Sequence, residues 1–175
     1  MSILIYEARM FAAGAHAAVG QKRKYCGEDY INHPKRVAAL VHPLASRPII
    51  STCAAWLHDV VEDTKVTLGQ IDRYFGGDIA ALVEQLTDPS KPSDGKRAAR
   101  RAIDLEHTSR ASPEAKTIKL ADIIDNASSI MQADASFAKV YMTEKVALLQ
   151  VLKEGHPLLW QRANEMVNAY FAAAD

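Results

Sequence analysis

Cysteine is scarce in this chain of 175 residues: there are only two, Cys26 and Cys53. They lie far apart, so neither a disulfide framework nor a thiolate metal motif is encoded, and a reducing, cytoplasmic setting is expected. Net charge of either sign is also missing. Twenty-one basic and twenty-one acidic side chains cancel, which leaves no overall field to attract a nucleic-acid backbone or an anionic membrane. No apolar stretch approaches the roughly 18 residues needed to span a bilayer. The Ala-rich start has small-x-small triplets like those of a signal-peptidase site, but it lacks a basic leading region, and Glu7, Arg9 and His16 interrupt it, so no secretory signal is expected. Alternating strand-like runs joined by tight Gly turns are absent, as are a Gly-rich phosphate loop and a Gly-x-Ser-x-Gly elbow, which removes support for kinase and serine-hydrolase chemistry.

What is present is 49% hydrophobic residues arranged with helical punctuation, enough to bury a core without staples. An all-α bundle of about eight to ten helices in one domain, residues 1–175, is the expectation. Leu4, Ala8, Phe11, Ala12, Ala15 and Val19 form the apolar stripe of a first helix that runs into a polar loop, Gly20 to Asp29. His33 precedes Pro34, which suits a first helical position. Pro48 opens a mostly apolar third helix through Leu57, and Thr67 to Gln70 fits a capping box before a short helix that Gly76-Gly77 stops. A further helix covers Asp78 to about Thr87, and Asp88 to Gly95, rich in Pro and Ser, forms a loop. Lys96–His107, Ser112–Met131, Phe137–Glu154 and Leu158–Ala174 complete the helices. The first helix and the aromatic last one, with Trp160, Tyr170 and Phe171, suit either internal packing or a partner's surface, so oligomeric state stays open.

Chemistry concentrates in three places. His58-Asp59 ends the apolar third helix, with Glu62 and Asp63 four residues further on. An imidazole and a carboxylate there can share a divalent ion, and packing three acids together calls for a cation or a hydrogen-bond network. The bland alternative is a solvated acidic helix end. Asp122 lies in the apolar segment Ile118 to Ile124 and needs a partner, which a metal or a lysine could provide; Asn126 is one turn further along the same face. His33 is the remaining ligand candidate, or else a cap. Two nitrogens and two carboxylates without a thiolate suit Mn2+, Fe2+ or an open Zn2+ site. His16, His42, His107 and His156 have no comparable neighbours in the sequence. Two basic groups, Lys22-Arg23-Lys24 and the stripe Arg97, Arg100 and Arg101, could hold phosphates or be solvated faces.

The segments Arg23 to Pro34, Trp56 to Thr64 and Ile118 to Asn126, in this order and spacing, resemble the hydrolase domain of RelA/SpoT homologues, and in particular stand-alone small alarmone hydrolases of the HD superfamily. The likeness covers about residues 5–155. It implies one Mn2+ ion held by His33, His58, Asp59 and Asp122, and a catalytic pair, Glu62 and Asp63, that activates and orients the attacking water. It also implies nucleotide contacts by Arg23, Lys24, Arg97 and Asn126. The implied reaction removes the 3′-pyrophosphate of (p)ppGpp or an adenine analogue, without a covalent phosphoenzyme and without nucleic-acid or membrane partners. Asp29, where relatives commonly carry proline, adds negative charge near the pocket mouth and leaves the base preference open. The alternatives are an HD-type phosphohydrolase of another nucleotide and a non-catalytic nucleotide-sensing helical module.

Overall fold

A computed structural model describes residues 2–173, and every regular element among them is helical. Ala174, the expected end of the last helix, lies outside the described residues. The helices divide into two compact units, the first running to Thr87 and the second starting at Asp88, where the Pro/Ser loop begins. Among the described residues, no helix is long and apolar enough to cross a membrane.

In the first unit, α1 (Ile3–Ala18), α2 (Asn32–Val41) and α6 (Gly77–Leu86) pack against α3 (Pro48–Leu57). All residues from Ser51 to Leu57 are buried, so beyond its exposed first turn α3 is enclosed on all sides, which matches its largely apolar sequence. Between them, α4 (Val60–Asp63) packs on α1, and α5 (Leu68–Phe75) packs on α6. The capping box forms as expected: the Thr67 hydroxyl accepts from the Gln70 N–H, and the Gln70 side chain accepts from the Thr67 N–H. Two local expectations change. Helix α2 starts at Asn32, so Pro34 is its third residue, a position that still lacks an intrahelical N–H partner. The buried face of α1 is Ile5, Ala8, Ala12 and His16, rotated from the expected stripe, while Val19 is 44% exposed.

The second unit is built around α8 (Pro113–Ala133), with α9 (Ala135–Val151) and α10 (Pro157–Ala172) packed on it and α7 (Arg97–Ser109) against α9. A single 3-10 turn, Pro92–Asp94, interrupts the loop before α7. Ser112 caps α8 by accepting from the Ala115 N–H, with Pro113 at the first helical position. The break between α9 and α10 needs glycine for space. A Cβ on Gly155 would stand 2.7 Å from Leu120 Cδ1 and 3.1 Å from the backbone of Lys116 and Thr117, so a side chain there would need Leu120 to turn aside and the α8 backbone to give by a few tenths of an ångström. The indole of Trp160 donates to the Leu149 carbonyl at 2.9 Å, tying α10 to the end of α9.

Candidate metal centre

Helix α3 does not continue through the His-Asp pair. It ends at Leu57, His58 and Asp59 form a turn, and α4 restarts at Val60. Part of the helical register survives, since the Asp63 N–H donates to the Asp59 carbonyl at 2.9 Å. The turn aims His58 inward, where its Nδ1–H donates to the Ala55 carbonyl at 2.8 Å. That bond fixes the tautomer and leaves an electron pair on Nε2. His33, fully buried on α2, brings its Nε2 within 3.3 Å of His58 Nε2. Asp59 Oδ2 lies 3.0 Å from His58 Nε2 and 3.5 Å from His33 Nε2.

These three atoms lie within 4.8 Å of one another. Two electron-pair donors 3.0 Å apart, His58 Nε2 and Asp59 Oδ2, repel unless a proton or cation lies between them. A proton satisfies one such pair, whereas a divalent ion satisfies all three donors at once. The residues present therefore fit a divalent metal held by nitrogen and oxygen, as His33, His58 and Asp59 were expected to do. Burial alone would raise the Asp59 carboxyl; His58 and His33 in their protonated forms hold it well below the usual carboxylate range by charge and hydrogen bonds, the role that a cation takes over when the imidazoles are neutral. It is the anion of the cluster. The Tyr30 hydroxyl donates to Asp59 Oδ2 at 2.7 Å, and the Arg23 guanidinium lies 6.0 Å from the centre of the Tyr30 ring. Arg23 is buried, which brings one expected substrate contact to the tyrosine that supports the cluster.

Of the acids next to this group, Glu62 and Asp63 are both exposed, and Asp63 is close enough to Asp59 to feel its charge. The Asp63 carboxylate accepts from Gln21 Nε2 at 2.8 Å, and the Tyr30 hydroxyl, whose proton goes to Asp59, lies near enough to influence it. Partial loss of solvent and the Asp59 charge push the Asp63 carboxyl up despite its bond to Gln21, the direction that makes a carboxylate a better base. Gln21 in turn is held by His16, whose Nδ1 lies 2.7 Å from Gln21 Oε1. His16 is buried, with its ring 4.7 Å from that of Tyr30. Sequence spacing alone assigns no role to His16, Gln21 or Tyr30. The signal was there in part: His16 follows Ile5, Ala8 and Ala12 at helical spacing, and Tyr30 lies in the same short segment as His33.

Other expected site residues fall as follows. Lys24 is exposed, with its Nζ 5.0 Å from the centre of the Tyr25 ring. The Asp29 carboxylate bonds Lys22 Nζ, and the two residues form an isolated bridge, so its added charge is locally paired. In the second unit, Asp122 is half-buried on α8, and Asn126 Nδ2 donates to its Oδ1 at 2.6 Å. The basic stripe of α7 is largely paired within that unit. Arg97 donates to Glu144 through Nε at 2.6 Å and through a terminal nitrogen at 2.9 Å, and Arg101 donates to Asp88 at 2.8 Å and to Asp104 at 3.0 Å.

Residues 8–152 match the HD domain family. The human guanosine-3′,5′-bis(diphosphate) 3′-pyrophosphohydrolase MESH1 is 40% identical over 124 residues, 70% of this chain and 66% of that protein. Its Xenopus tropicalis counterpart is 38% identical over 125 residues, 70% of this chain and 67% of that protein. The match thus spans about two thirds of the length of these relatives. Among solved structures, a metazoan ortholog of SpoT described as hydrolysing ppGpp superposes with a TM-score of 0.85 at 26% identity, covering 97% of this chain and 96% of that one.

Proposed function

Because the chain belongs to the HD domain family, we propose that it hydrolyses the 3′-pyrophosphate of alarmone nucleotides such as ppGpp, yielding the 5′-nucleotide and pyrophosphate. The observation that carries this reading is the convergence of His33 Nε2, His58 Nε2 and Asp59 Oδ2 beside an Asp63 carboxyl whose proton affinity is raised. The names of the relatives supply the substrate class.

Manganese is the metal we assign, held by His33, His58 and Asp59, with Asp122 as the fourth ligand implied by the sequence resemblance. Such an ion supplies Lewis acidity, making water a competent nucleophile near neutral pH and offsetting charge on the phosphoryl oxygens. The protein's own groups do the rest. Asp63, with Glu62 one residue before it, takes the proton that water gives up on attack and passes it to the departing ribose 3′ oxygen. Arg23 and Lys24 in the first unit, and Arg97 and Asn126 in the second, are assigned to nucleotide binding by the same resemblance. Arg97 has five N–H donors and gives two of them to Glu144, so it can meet a phosphate while that pair stays in place. No side-chain nucleophile takes part, so no phosphoenzyme forms. The family match runs through the boundary at Thr87, which supports treating both units as one catalytic domain, and the cysteine usage supports a cytoplasmic location.

Purified protein incubated with ppGpp, and in parallel with pppApp, tests this reading. Pyrophosphate and the matching 5′-nucleotide are expected with Mn2+ and not after chelation. Failure to release pyrophosphate from either nucleotide in the presence of Mn2+ would overturn the proposal, and the ratio of the two rates gives the base preference.

A further inference from the structure

The end of α1 is stabilised by backbone bonds that also determine where Gln21 goes. Gly20 adopts φ +65°, the left-handed conformation that favours glycine. The Gln21 N–H then donates to the His16 carbonyl, and the Gly20 N–H to the Ala17 carbonyl, each at 3.0 Å. This is a Schellman cap, in which the residue after the glycine folds back over the residue five positions earlier. That pair is commonly apolar, since its contact seals the helix end. Here it is a glutamine on a buried histidine.

The hydrogen bonds fix the direction of the pair. Gln21 Nε2 donates to Asp63 Oδ2 at 2.8 Å, so Gln21 Oε1 is the amide's acceptor, and His16 Nδ1, 2.7 Å away, carries the proton. His16 Nε2 is left as a buried atom without a hydrogen-bond partner. A protonated ring would place an unsatisfied N–H there, which is costly. Burial lowers the His16 pKa, against Gln21 and the charges of Asp59 and Asp63, so the ring stays neutral. If Gln21 turned its amide over, a carbonyl oxygen would face the Asp63 carboxylate. Two things disfavour that flip: the repulsion between that oxygen and the carboxylate, and the imidazole, which would have to move its proton to Nε2, a buried atom with no partner to receive it.

We propose that His16 and Gln21 are positioning residues for Asp63: the His16 Nδ1–H locks the Gln21 amide so that its NH2 group holds the carboxylate ready to receive a proton. A pair serving only to close the helix would gain more from apolar side chains, which bury surface without leaving a nitrogen unsatisfied. This inference rests on the assignment of Asp63 to the catalytic pair.

The test is a kinetic double-mutant cycle on the full chain loaded with Mn2+, with pyrophosphate release from ppGpp as the readout. His16→Leu and Gln21→Leu are each expected to lower kcat by roughly 10-fold to 30-fold, with KM within about 2-fold of wild type. The double variant should lose no more than the worse single variant, because both changes disable one device. His16→Asn, which keeps an N–H donor near the Nδ1 position, should recover most of the loss. Manganese affinity, measured by titration, should not change in any of them. A kcat within about 2-fold of wild type for both leucine variants, additive losses, no rescue by asparagine, or a matching loss of manganese affinity would each overturn the inference. Asp63→Asn separates it from the reading beneath: if that variant turns over like wild type, the catalytic assignment of Asp63 has failed, whereas an inactive Asp63→Asn beside active His16 and Gln21 variants defeats the positioning role alone.

Discussion

The two units handle buried polarity in opposite ways. In the first, His33, His58 and Asp59 bring electron pairs together. In the second, cations and carboxylates neutralise one another: Asp88 accepts from Arg101 at 2.8 Å and Lys119 at 3.3 Å, Asp104 from Arg101 at 3.0 Å, and Glu144 from Arg97 at 2.6 Å. Burial would raise the Asp88 carboxyl, but Lys119 and Arg101 hold it below its ordinary value. The difference shows where an outside ion belongs. A cluster of donors is incomplete until something positive arrives, whereas an ion-pair network is already complete.

The largest effect that can break this contrast is on the donor side. Asp59→Asn keeps the shape of the cluster but removes its charge and should cut turnover by at least about 1000-fold, with manganese binding lost. Asp122→Ala should do the same if it is the fourth ligand; wild-type manganese affinity in that variant would remove Asp122 from the set. Pyrophosphate release and manganese titration on the same preparations check both.

A smaller effect is expected where the second unit is not fully balanced. Burial lowers Lys145 to about 8, helped by the charges of Lys119 and Arg101 and opposed by Asp122 and Glu144. Between about pH 8 and the ordinary lysine value near 10.5, the unfolded chain holds this proton and the folded chain does not. Stability from this group therefore rises with pH across that window. Lys145→Met should flatten the rise and stabilise the protein at pH 7 by about 1–2 kcal/mol, read from Tm across pH. An unchanged pH dependence would show that the lysine reaches solvent.

The smallest effect is at Arg97, whose guanidinium is 42% exposed. Replacing it with methionine should cost less than about 1 kcal/mol of stability. A rise in KM for ppGpp without a fall in Tm would sharpen its assignment as a phosphate contact, and a fall in Tm with unchanged KM would make it structural.

Much of this contrast was legible in the sequence on one side and hidden on the other. The helices and their caps follow from local chemistry: Thr67 with Gln70, Ser112 before Pro113, and glycine or proline at most breaks. His33, His58 and Asp59 were found because their neighbouring residues form recognisable segments. The sequence does not single out His16, because the stripe Leu4, Ala8, Phe11, Ala12, Ala15 and Val19 is rotated from the face of α1 that is buried, and because Gln21 falls within the polar loop Gly20 to Asp29. Only the left-handed turn at Gly20 brings the two together. The partners of the α7 arginines were hidden for a different reason. Glu144 lies 47 residues beyond Arg97, and Asp88 lies 13 before Arg101, so charge spacing along one helix could not show that its cations are paired.

The claim on which the rest depends is that three electron pairs in the first unit meet on one ion. Anomalous diffraction from crystals grown with manganese, recorded at the manganese edge, tests it directly. The expected result is one strong peak within about 2–2.5 Å of His33 Nε2, His58 Nε2 and Asp59 Oδ2; manganese bound elsewhere, with no peak among those three atoms, would contradict it.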